Sequence, residues 1–496
     1  MKQNLSSAYS VHRAFEGSAV LITGATGYLG SLVLEQLLRL GHIRKAYLLM
    51  RRSSGHSEKQ RLNLLLSTPI FRLHNLKQIV HRLEIIPGDL KQPDCGISHA
   101  DQAKLVSGVQ YIVHSAASIR FDNDIHTDIA LSYVAMKSLA ELARKIHGLR
   151  CFMYVSTAYA NAHSDLVTGD VATMEQLYPL RNAIGLSLDH ASVVELLLGL
   201  PPAEAQLEVV AIAGRHSSQQ NNYGFCKNLT EQLIGSYHLQ PFPVCINRPV
   251  GIGAVAKSPC PGYVGNSAAT GVILSLACGV GTLQSHDAEL PQPLVPGDMA
   301  ASIILASMAS AVEGCSCMES PYVTHACAMA RHPVPFGEFV EHICKYFRDD
   351  PCTVFQFGDG NCDVRWTKDM SEYDRWRDTE NDRIKQLNEE LLELEQFKSA
   401  NMVLTAWKVW LMYSDSRLLM GSTILDDSKV QRLVSNLEDK EKESLMLRFT
   451  LEDTGVTWSQ YIRASCAGAK QLYMHEEPKN YRLEWYRTQE GLQSRL

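Results

Sequence analysis

A tyrosine and a lysine, Tyr223 and Lys227, stand four residues apart in the stretch Tyr-Gly-Phe-Cys-Lys. On a helix this spacing places both side chains on one face. A phenol there can give a proton to a reacting oxygen, while the neighbouring ammonium lowers the pKa of the phenol and binds hydroxyl groups of a bound molecule. The pair predicts acid–base chemistry wherever the fold brings a reacting carbonyl to it.

Two hydroxyl residues, Ser156 and Thr157, follow an apolar run at residues 150–155 that predicts a buried strand. Ligands of parallel sheets bind beyond the carboxyl ends of the strands, so these hydroxyls are candidates to hold a substrate oxygen. The same pair would equally suit a helix cap. Together with Tyr223 and Lys227 they favour a catalytic group, in which Thr157, with Ser156 nearby, holds a carbonyl oxygen.

A glycine-rich turn near the N-terminus connects an apolar run at residues 19–22, which suits a buried strand, with a helical pattern at residues 31–40. In such a turn the first glycine takes the tight bend and the second lets the backbone approach a pyrophosphate. The third lets the helix pack closely on the sheet, and unpaired N–H groups of the helix face the anion. The turn therefore predicts dinucleotide binding. The residues predicted to contact the dinucleotide here are Thr23, Gly24, Thr26, Gly27, Tyr28, Leu29 and Gly30.

Two arginines, Arg51 and Arg52, follow the next strand pattern, Lys45–Met50. The residue at this strand end meets the adenosine ribose of a bound dinucleotide, where an acid would bond the 2′-hydroxyl and an arginine suits a 2′-phosphate. Because arginines and no acid stand here, the sequence favours NADPH over NADH. Two solvated arginines at a strand end are the alternative.

Three more apolar runs, at residues 83–87, 109–115 and 243–247, predict further strands. Strands that alternate with helical segments are typical of the α/β class, so we expect a doubly wound parallel Rossmann sheet. The first run leads to an aspartate placed to bond the adenine, and the second leads to small residues that leave room for the phosphates and the nicotinamide ribose. The cofactor contacts predicted after these runs are Asp89, Leu90, Ser115, Ala116, Ala117, Pro249 and Val250.

The composition is that of a globular protein, with 496 residues of which 45% are hydrophobic and 20% charged, and a net charge of −6. This charge, without a long basic stripe, argues against nucleic acid as the main partner. The 13 cysteines are dispersed without the Cys/His spacing of a zinc site. We therefore expect no metal and a reducing compartment.

Two segments of the C-terminal part have apolar residues that need a partner. No run of 18 apolar residues occurs, so a membrane-spanning helix is not expected. Residues 402–413, with Trp407 and Trp410, predict a buried core helix. An interfacial membrane contact or an acyl-chain wall is the alternative for this segment. Residues 374–398 predict an amphipathic helix that packs on its own domain or, alternatively, forms a short homodimer seam.

Several motifs together resemble those of fatty acyl-CoA reductases, which are extended short-chain dehydrogenases. They are the glycine turn, Val-His-Ser-Ala-Ala-Ser-Ile-Arg-Phe-Asp at residues 113–122, Tyr-Val-Ser-Thr-Ala-Tyr-Ala-Asn at residues 154–161, and Arg248-Pro249 with Pro261-Gly-Tyr263 beyond. The likeness continues to about residue 475. It implies an NADPH-binding Rossmann reductase domain at residues 15–320, a smaller, mainly helical C-terminal domain at residues 321–480, and a tail at residues 481–496.

The resemblance implies that NADPH reduces a long-chain acyl-CoA, through a bound aldehyde, to the fatty alcohol for ether-lipid or wax synthesis. Tyr223 would then protonate the oxyanion of each hydride transfer, Thr157 would hold the carbonyl oxygen, and Lys227 would bind the nicotinamide ribose. Another activity of extended short-chain dehydrogenases, such as sugar-nucleotide epimerisation or hydroxysteroid oxidation, is the alternative. A non-catalytic NADPH-binding regulator is a third interpretation.

The chain ends in Ser494, Arg495 and Leu496, a close variant of the Ser-Lys-Leu address that the peroxisomal import receptor reads. The family that the motifs resemble often works at peroxisomes. We therefore expect the import receptor as a partner and localisation in a peroxisome or a related organelle such as a glycosome.

Overall fold

The protein's computed structural model describes residues 8–481 and 483, apart from residues 41, 54, 73, 119–122, 162–173, 183–184, 214–221, 238–240, 285–287, 314–320, 328–332, 353–363, 421–424 and 449. The predicted import tripeptide, Ser494 to Leu496, lies outside the described residues. The chain divides into two compact units: unit 1 spans residues 1–250, 299–327 and 423–449, and unit 2 spans residues 251–298, 328–422 and 450–496.

The strands in chain order are β1 (Ala19–Thr23), β2 (Lys45–Met50), β3 (Leu83–Pro87), β4 (Tyr111–His114), β5 (Cys151–Val155), β6 (Val244–Pro249), β7 (Gly251–Ile252), β8 (Leu283–Gln284), β9 (Leu294–Val295), β10 (Tyr322–Ala326) and β11 (Arg365–Trp366). The helices are α1 (Val11–Phe15), α2 (Tyr28–Arg39), α3 (Glu58–Leu66), α4 (Pro69–Arg72), α5 (Leu76–Ile79), α6 (His99–Gly108), α7 (Ile125–Ile129), α8 (Ala135–Lys145), α9 (His190–Gly199), α10 (Pro202–Ala213), α11 (Asn222–Gly235), α12 (Ala268–Ala277), α13 (Gly297–Glu313), α14 (Phe336–Asp349), α15 (Met370–Glu393), α16 (Phe397–Met420), α17 (Ser428–Asn436), α18 (Asp439–Ser444) and α19 (Trp458–Ala469).

Unit 1 contains a seven-stranded parallel sheet in the order β10-β6-β5-β4-β1-β2-β3. The strand order reverses between β1 and β4, and this reversal opens a crevice at the carboxyl ends of the strands. The register aligns Thr23 with His114 and His114 with Tyr154. The predicted α/β class with a doubly wound parallel sheet is confirmed, and the crevice lies where the sequence places the candidate site.

The sheet is buried because helices cover both of its faces, as the uninterrupted apolar runs require. All five residues of β1 are buried, and so are all four of β4. The helix after the glycine turn, α2, packs its apolar residues inward, with Leu32, Val33 and Leu34 at most 1% exposed. A rigid central sheet therefore supports the strand ends that carry the candidate residues.

A late segment of the chain, residues 423–449, belongs to unit 1 together with the N-terminus. The Tyr9 hydroxyl donates to the Leu433 carbonyl at 2.9 Å, and the Glu441 carboxylate accepts from the Val11 N–H at 2.7 Å and from the Ser10 hydroxyl. The last strand of the sheet, β10, begins at Tyr322. The domain bounds expected from the sequence, residues 15–320 and 321–480, stay a prediction, and the two units are each made of several separate chain segments.

Unit 2 is mainly helical, and its longest helices, α15 and α16, pack on each other. Trp407 and Trp410 on α16 are 2% and 0% exposed, as the core-helix interpretation of residues 402–413 expects. On α15, Ile384 and Leu391 are buried within the unit. A homodimer and a membrane contact stay predictions. Among the described residues, no helix is both long and apolar enough to cross a membrane.

A buried ion pair joins two segments of unit 2. Lys470 follows α19 and binds the Asp350 carboxylate at the end of α14, and the two side chains are 1% and 0% exposed. The Lys470 ammonium also donates to the Asp350 and Pro351 carbonyls at 3.1 and 2.9 Å. Burial alone raises the pKa of Asp350, but the Lys470 ammonium and the Lys479 backbone N–H prevail and hold it below its ordinary value.

Candidate active site

The glycine turn forms a cradle that a dinucleotide fits. Gly24 has φ +75°, and a Cβ at this position would lie 2.6 Å from the Ala116 nitrogen at the end of β4. A Cβ on Gly30 would overlap the Gly24 carbonyl, so only a glycine at this position lets the helix pack against the turn. The first intrahelical bond runs from the Ser31 N–H to the Gly27 carbonyl at 2.9 Å. The Leu29 and Gly30 amides precede it without an intrahelical partner, which suits a pyrophosphate.

A threonine–histidine contact ties this cradle to the end of β4. Oγ1 of Thr23 lies 2.7 Å from Nδ1 of His114, and it accepts from the Ala116 N–H at 3.2 Å. Burial, and secondarily Lys227, lowers the pKa of His114 to about 3, so this imidazole is neutral. The contact brings the predicted residues Ser115, Ala116 and Ala117 beside the turn.

Arg61 on α3 extends the cradle on the side of the predicted adenosine ribose. Its Nη2 donates to the Thr26 hydroxyl at 2.7 Å, and its Nη1 donates to the Arg51 carbonyl at 2.7 Å. Burial, and then the charge of Arg51, lowers the pKa of Arg61. Arg51 and Arg52 are exposed, and Nε of Arg52 lies 3.4 Å from Glu58. The structure thus gathers three arginines here, and sequence reasoning missed Arg61.

The other predicted cofactor contacts lie at the carboxyl ends of β3 and β6. Asp89 accepts from the Lys91 N–H at 3.1 Å and closes a turn, and Leu90 packs against the core of unit 1. Pro249 and Val250 are buried, and the Val250 N–H donates to the Ala326 carbonyl at 3.1 Å. These residues therefore occupy the predicted edge of the sheet.

The proposed catalytic pair lies on one face of α11, as the spacing predicts. Lys227 is 4% exposed, donates to the Val155 carbonyl at 2.8 Å, and has its Nζ 5.7 Å from the centre of the Tyr223 ring. The Thr157 side chain lies close enough to the Tyr223 phenol to lower its pKa. This geometry brings the hydroxyl at the end of β5 to the phenol.

Burial controls the pKa values of this pair. It raises the pKa of Tyr223 to about 12, although Thr157 opposes this shift, so the phenol is protonated. The prediction that the Lys227 ammonium lowers this pKa is therefore wrong, because burial of the phenol dominates. Burial lowers the pKa of Lys227 to about 7, and Glu231 opposes this shift. A protonated phenol is the form that a proton donor requires.

Ser156 has a different partner from its neighbour Thr157. Its hydroxyl donates to the Glu231 carboxylate at 2.5 Å, and Arg248 binds the same carboxylate with Nε at 2.9 Å and Nη2 at 2.6 Å. Successive side chains of an extended segment point to opposite sides, so one of the two hydroxyls faces Tyr223 and the other faces Glu231. Sequence reasoning missed Glu231, although its spacing of four from Lys227 indicates the same helix face.

A small, partly open pocket lies beside these groups. Its wall includes His114, Ala116 and Ala117 after β4, Tyr154 on β5, and Tyr223 and Lys227 on α11. The pocket therefore joins predicted cofactor contacts to the proposed catalytic pair. Among the described residues, no group of three or more His, Cys, Asp or Glu side chains could hold a metal ion.

More than half of the chain, residues 22–304, matches the NAD-binding family model described as Male sterility protein. The chain belongs to this family. The resemblance to fatty acyl-CoA reductases is also confirmed: the chain is 26% identical over 478 residues to fatty acyl-CoA reductase 1 of Mus musculus, with 94% of this chain and 87% of the relative covered. It is 24% identical over 489 residues to fatty acyl-CoA reductase wat of Drosophila melanogaster, with 94% and 86% covered.

Solved structures show the same fold as this member of the male sterility protein family. The terminal R domain from the myxalamid PKS-NRPS pathway has a TM-score of 0.57 at 17% identity, with 95% of this chain and 93% of that domain covered. The reductase domain of a nonribosomal peptide synthetase from Mycobacterium tuberculosis has a TM-score of 0.55 at 18% identity, with 94% of both chains covered. Family membership and the dinucleotide cradle make the chain an oxidoreductase that uses a nicotinamide cofactor.

Proposed function

We propose that the chain reduces a long-chain fatty acyl-CoA to the fatty alcohol with NADPH. The observation that carries this proposal is the pair of Tyr223 and Lys227 on one face of α11, with Thr157 beside the phenol, at the crevice of a reductase fold. The similarity to fatty acyl-CoA reductases over 94% of the chain supports the acyl-CoA substrate.

Two arginines support NADPH as the cofactor. Arg61 binds both the glycine turn, through Thr26, and the end of β2, through Arg51. A 2′-phosphate at this place would meet two cations, and guanidinium groups bind phosphate through several N–H donors at once. NADH lacks this phosphate and would gain nothing from the two cations.

The residues at the crevice suit carbonyl reduction. When bound, the dihydronicotinamide supplies a hydride to the carbonyl carbon. Thr157 donates to the carbonyl oxygen, which becomes the oxyanion, and Tyr223 gives that oxygen its proton. The hemithioacetal so formed returns its hydroxyl proton to the Tyr223 phenolate, breaks its C–S bond, and leaves an aldehyde and the CoA thiolate, which takes a proton from water. Tyr223 is then protonated again, and the same residues act on the aldehyde oxygen in the second reduction, after which water reprotonates the phenolate. Lys227 holds the ribose hydroxyls of the cofactor.

Turnover of palmitoyl-CoA by the purified full-length chain tests the proposal. We expect oxidation of two NADPH per palmitoyl-CoA, release of free CoA thiol, and hexadecanol as the product, with NADH at least about tenfold less effective. A UDP-sugar and a hydroxysteroid serve as competing substrates. Turnover of either of these in place of palmitoyl-CoA, or no turnover with any substrate, would contradict the proposal.

For the cellular context, we propose import into a peroxisome or glycosome through Ser494, Arg495 and Leu496, where the alcohol supplies ether-lipid or wax synthesis. The tripeptide variant of a known import address supports this. A tagged full-length chain should co-localise with an organelle marker, whereas the variant Leu496→Asp should not. Equal localisation of both chains would overturn this part of the proposal.

A further inference from the structure

A buried carboxylate, Glu231, lies one helical turn after Lys227 on α11. Its side chain and that of Arg248 on β6 are each 0% exposed. The carboxylate accepts three hydrogen bonds, from Ser156 at 2.5 Å and from Nε and Nη2 of Arg248 at 2.9 and 2.6 Å. A guanidinium fork that binds both carboxylate oxygens fixes the plane of the carboxylate. These bonds therefore fix Glu231 relative to β5 and β6.

The far side of Arg248 meets a neutral imidazole. Nδ1 of His325 donates to the Asp426 carbonyl at 2.7 Å, so its Nε2 is the acceptor that faces Nη1 of Arg248 at 3.4 Å. Burial, followed by the charge of Arg248, lowers the pKa of His325 to about 3. Glu175 accepts from the His325 backbone N–H at 2.9 Å, and burial raises its pKa to about 7. Glu231 is thus the carboxylate that binds Arg248 directly.

Glu231 also acts on the charge of Lys227. Burial lowers the pKa of Lys227 to about 7, and Glu231 opposes this shift. His114 on the pocket wall is neutral because its own pKa is lowered to about 3. Among the described residues, the titratable groups that face Lys227 or share its pocket are His114 from β4, Tyr154 from β5, Asp128 from α7 and, on α11 itself, Tyr223, Cys226 and Glu231.

The same carboxylate controls the position of Thr157. Ser156 and Thr157 are consecutive at the end of β5, and Ser156 donates to Glu231, while Lys227 donates to the carbonyl of Val155, the last residue of the strand. The strand end is therefore bound to α11 at two points on the helix, Lys227 and Glu231. Loss of the second point would free the backbone from which Thr157 reaches the phenol.

We propose that Glu231, held by Arg248, is a positioning residue that favours the ammonium form of Lys227 and fixes the strand end that carries Thr157. It acts through these two residues and does not touch the reacting atoms. The inference rests on the proposed function only in giving Lys227 and Thr157 roles in carbonyl reduction. The effect on the charge of Lys227 is measurable in cofactor binding alone, without a substrate.

The test is the pH dependence of NADPH binding and of palmitoyl-CoA reduction in the full-length chain and in Glu231→Gln. An ammonium at residue 227 binds the ribose hydroxyls, so the affinity falls as the pH rises through the pKa of Lys227. Removal of the negative charge lowers that pKa. We therefore expect the alkaline fall of both affinity and kcat to move about one pH unit lower in Glu231→Gln, while KM for palmitoyl-CoA changes less than about threefold.

Glu35→Gln is the matched control. Glu35 on α2 is also 0% exposed and paired, with Arg39 at 2.7 Å and His74 at 2.8 Å. Its replacement should lower thermal stability and leave both pH profiles in place. If Glu231→Gln loses only stability, as the control does, and its profiles do not move, the inference is wrong. A chain that shows the shift in NADPH binding but reduces no palmitoyl-CoA refutes the proposed substrate and not the role of Glu231.

A charge-conserving variant covers the case in which Glu231→Gln does not fold. Glu231→Asp keeps the carboxylate but shortens it by one methylene, so the contact with Ser156 is lost while the charge remains. We expect a lower kcat with the alkaline fall of NADPH affinity at its original pH. An alkaline fall that moves in Glu231→Asp as far as one pH unit, or a kcat equal to that of the unmodified chain, would overturn the inference.

Discussion

The two units each contain a fully buried ion pair, and the two pairs differ in what surrounds them. Glu231 and Arg248 in unit 1 share their contacts with Ser156, which adjoins Thr157 of the candidate site. Lys470 and Asp350 in unit 2 share theirs with backbone groups, the Pro351 carbonyl among them, and with the Glu476 carboxylate, which lies 3.7 Å from Lys470. Burial and charge alone thus do not reveal what an ion pair does. What distinguishes a positioning role from a structural one is the further group that each ion pair binds.

Both ion pairs should affect the stability of the protein in the same way. Removal of one partner leaves a charge buried without compensation, which is strongly destabilising, whereas the intact pair contributes little net stability because desolvation offsets the attraction. Both pairs are therefore sensitive to single substitutions. The two pairs should separate only in properties other than stability, such as the pH dependence of cofactor binding.

The largest effect that we expect is on the stability of unit 2. Lys470→Met removes the ammonium and leaves the Asp350 carboxylate buried, so the free energy of unfolding should fall by about 3–5 kcal/mol. Chemical and thermal unfolding of the full-length chain measure this. The double variant Lys470→Met with Asp350→Leu should regain part of the loss. A shift in the pH profile of NADPH binding by Lys470→Met would erase the distinction between the two pairs.

A smaller effect, on cofactor affinity, is expected for Arg61, which is part of neither ion pair. Arg61 donates to two neutral oxygens of the cradle, the Thr26 hydroxyl and the Arg51 carbonyl. Arg61→Ala should weaken NADPH binding about tenfold, equivalent to about 1.4 kcal/mol, and should change NADH binding far less. Fluorescence titration with both cofactors measures this.

The matched control for Arg61 is Lys59→Ala, which removes an exposed cation from the same helix α3. It should leave the affinity for both cofactors unchanged. An equal loss of NADPH and NADH affinity in Arg61→Ala would mean that Arg61 supports the glycine turn and does not select the 2′-phosphate.

Local patterns predict the nucleotide-binding part of unit 1 well. The runs at residues 45–50 and 83–87 coincide with β2 and β3, and the run at residues 19–22 is β1 without its last residue. Buried parallel strands are continuous apolar segments, and glycine turns have fixed spacing, so neither depends on distant parts of the chain. The positions of Tyr223 and Lys227 on one face of α11 also follow from local helix geometry.

The parts that the sequence did not reveal depend on contacts between distant segments. Arg61 reaches the cradle because α3 lies beside it, and Glu231 meets Arg248 across 17 residues of sequence. Residues 423–449 join unit 1 through contacts such as that of Tyr9 with Leu433, which are 424 residues apart. No local periodicity encodes such pairings. The opposite directions of Ser156 and Thr157, in contrast, were predictable from strand geometry.

The central claim is that Tyr223, on one face of α11 with Lys227 and beside Thr157, protonates the oxygen of a reduced acyl-CoA. The most direct measurement compares palmitoyl-CoA-dependent NADPH oxidation by the unmodified chain and by Tyr223→Phe, with NADPH affinity measured on the same preparations. We expect the variant to lose at least about 100-fold in turnover and to bind NADPH with nearly unchanged affinity. Turnover by Tyr223→Phe equal to that of the unmodified chain would contradict the claim.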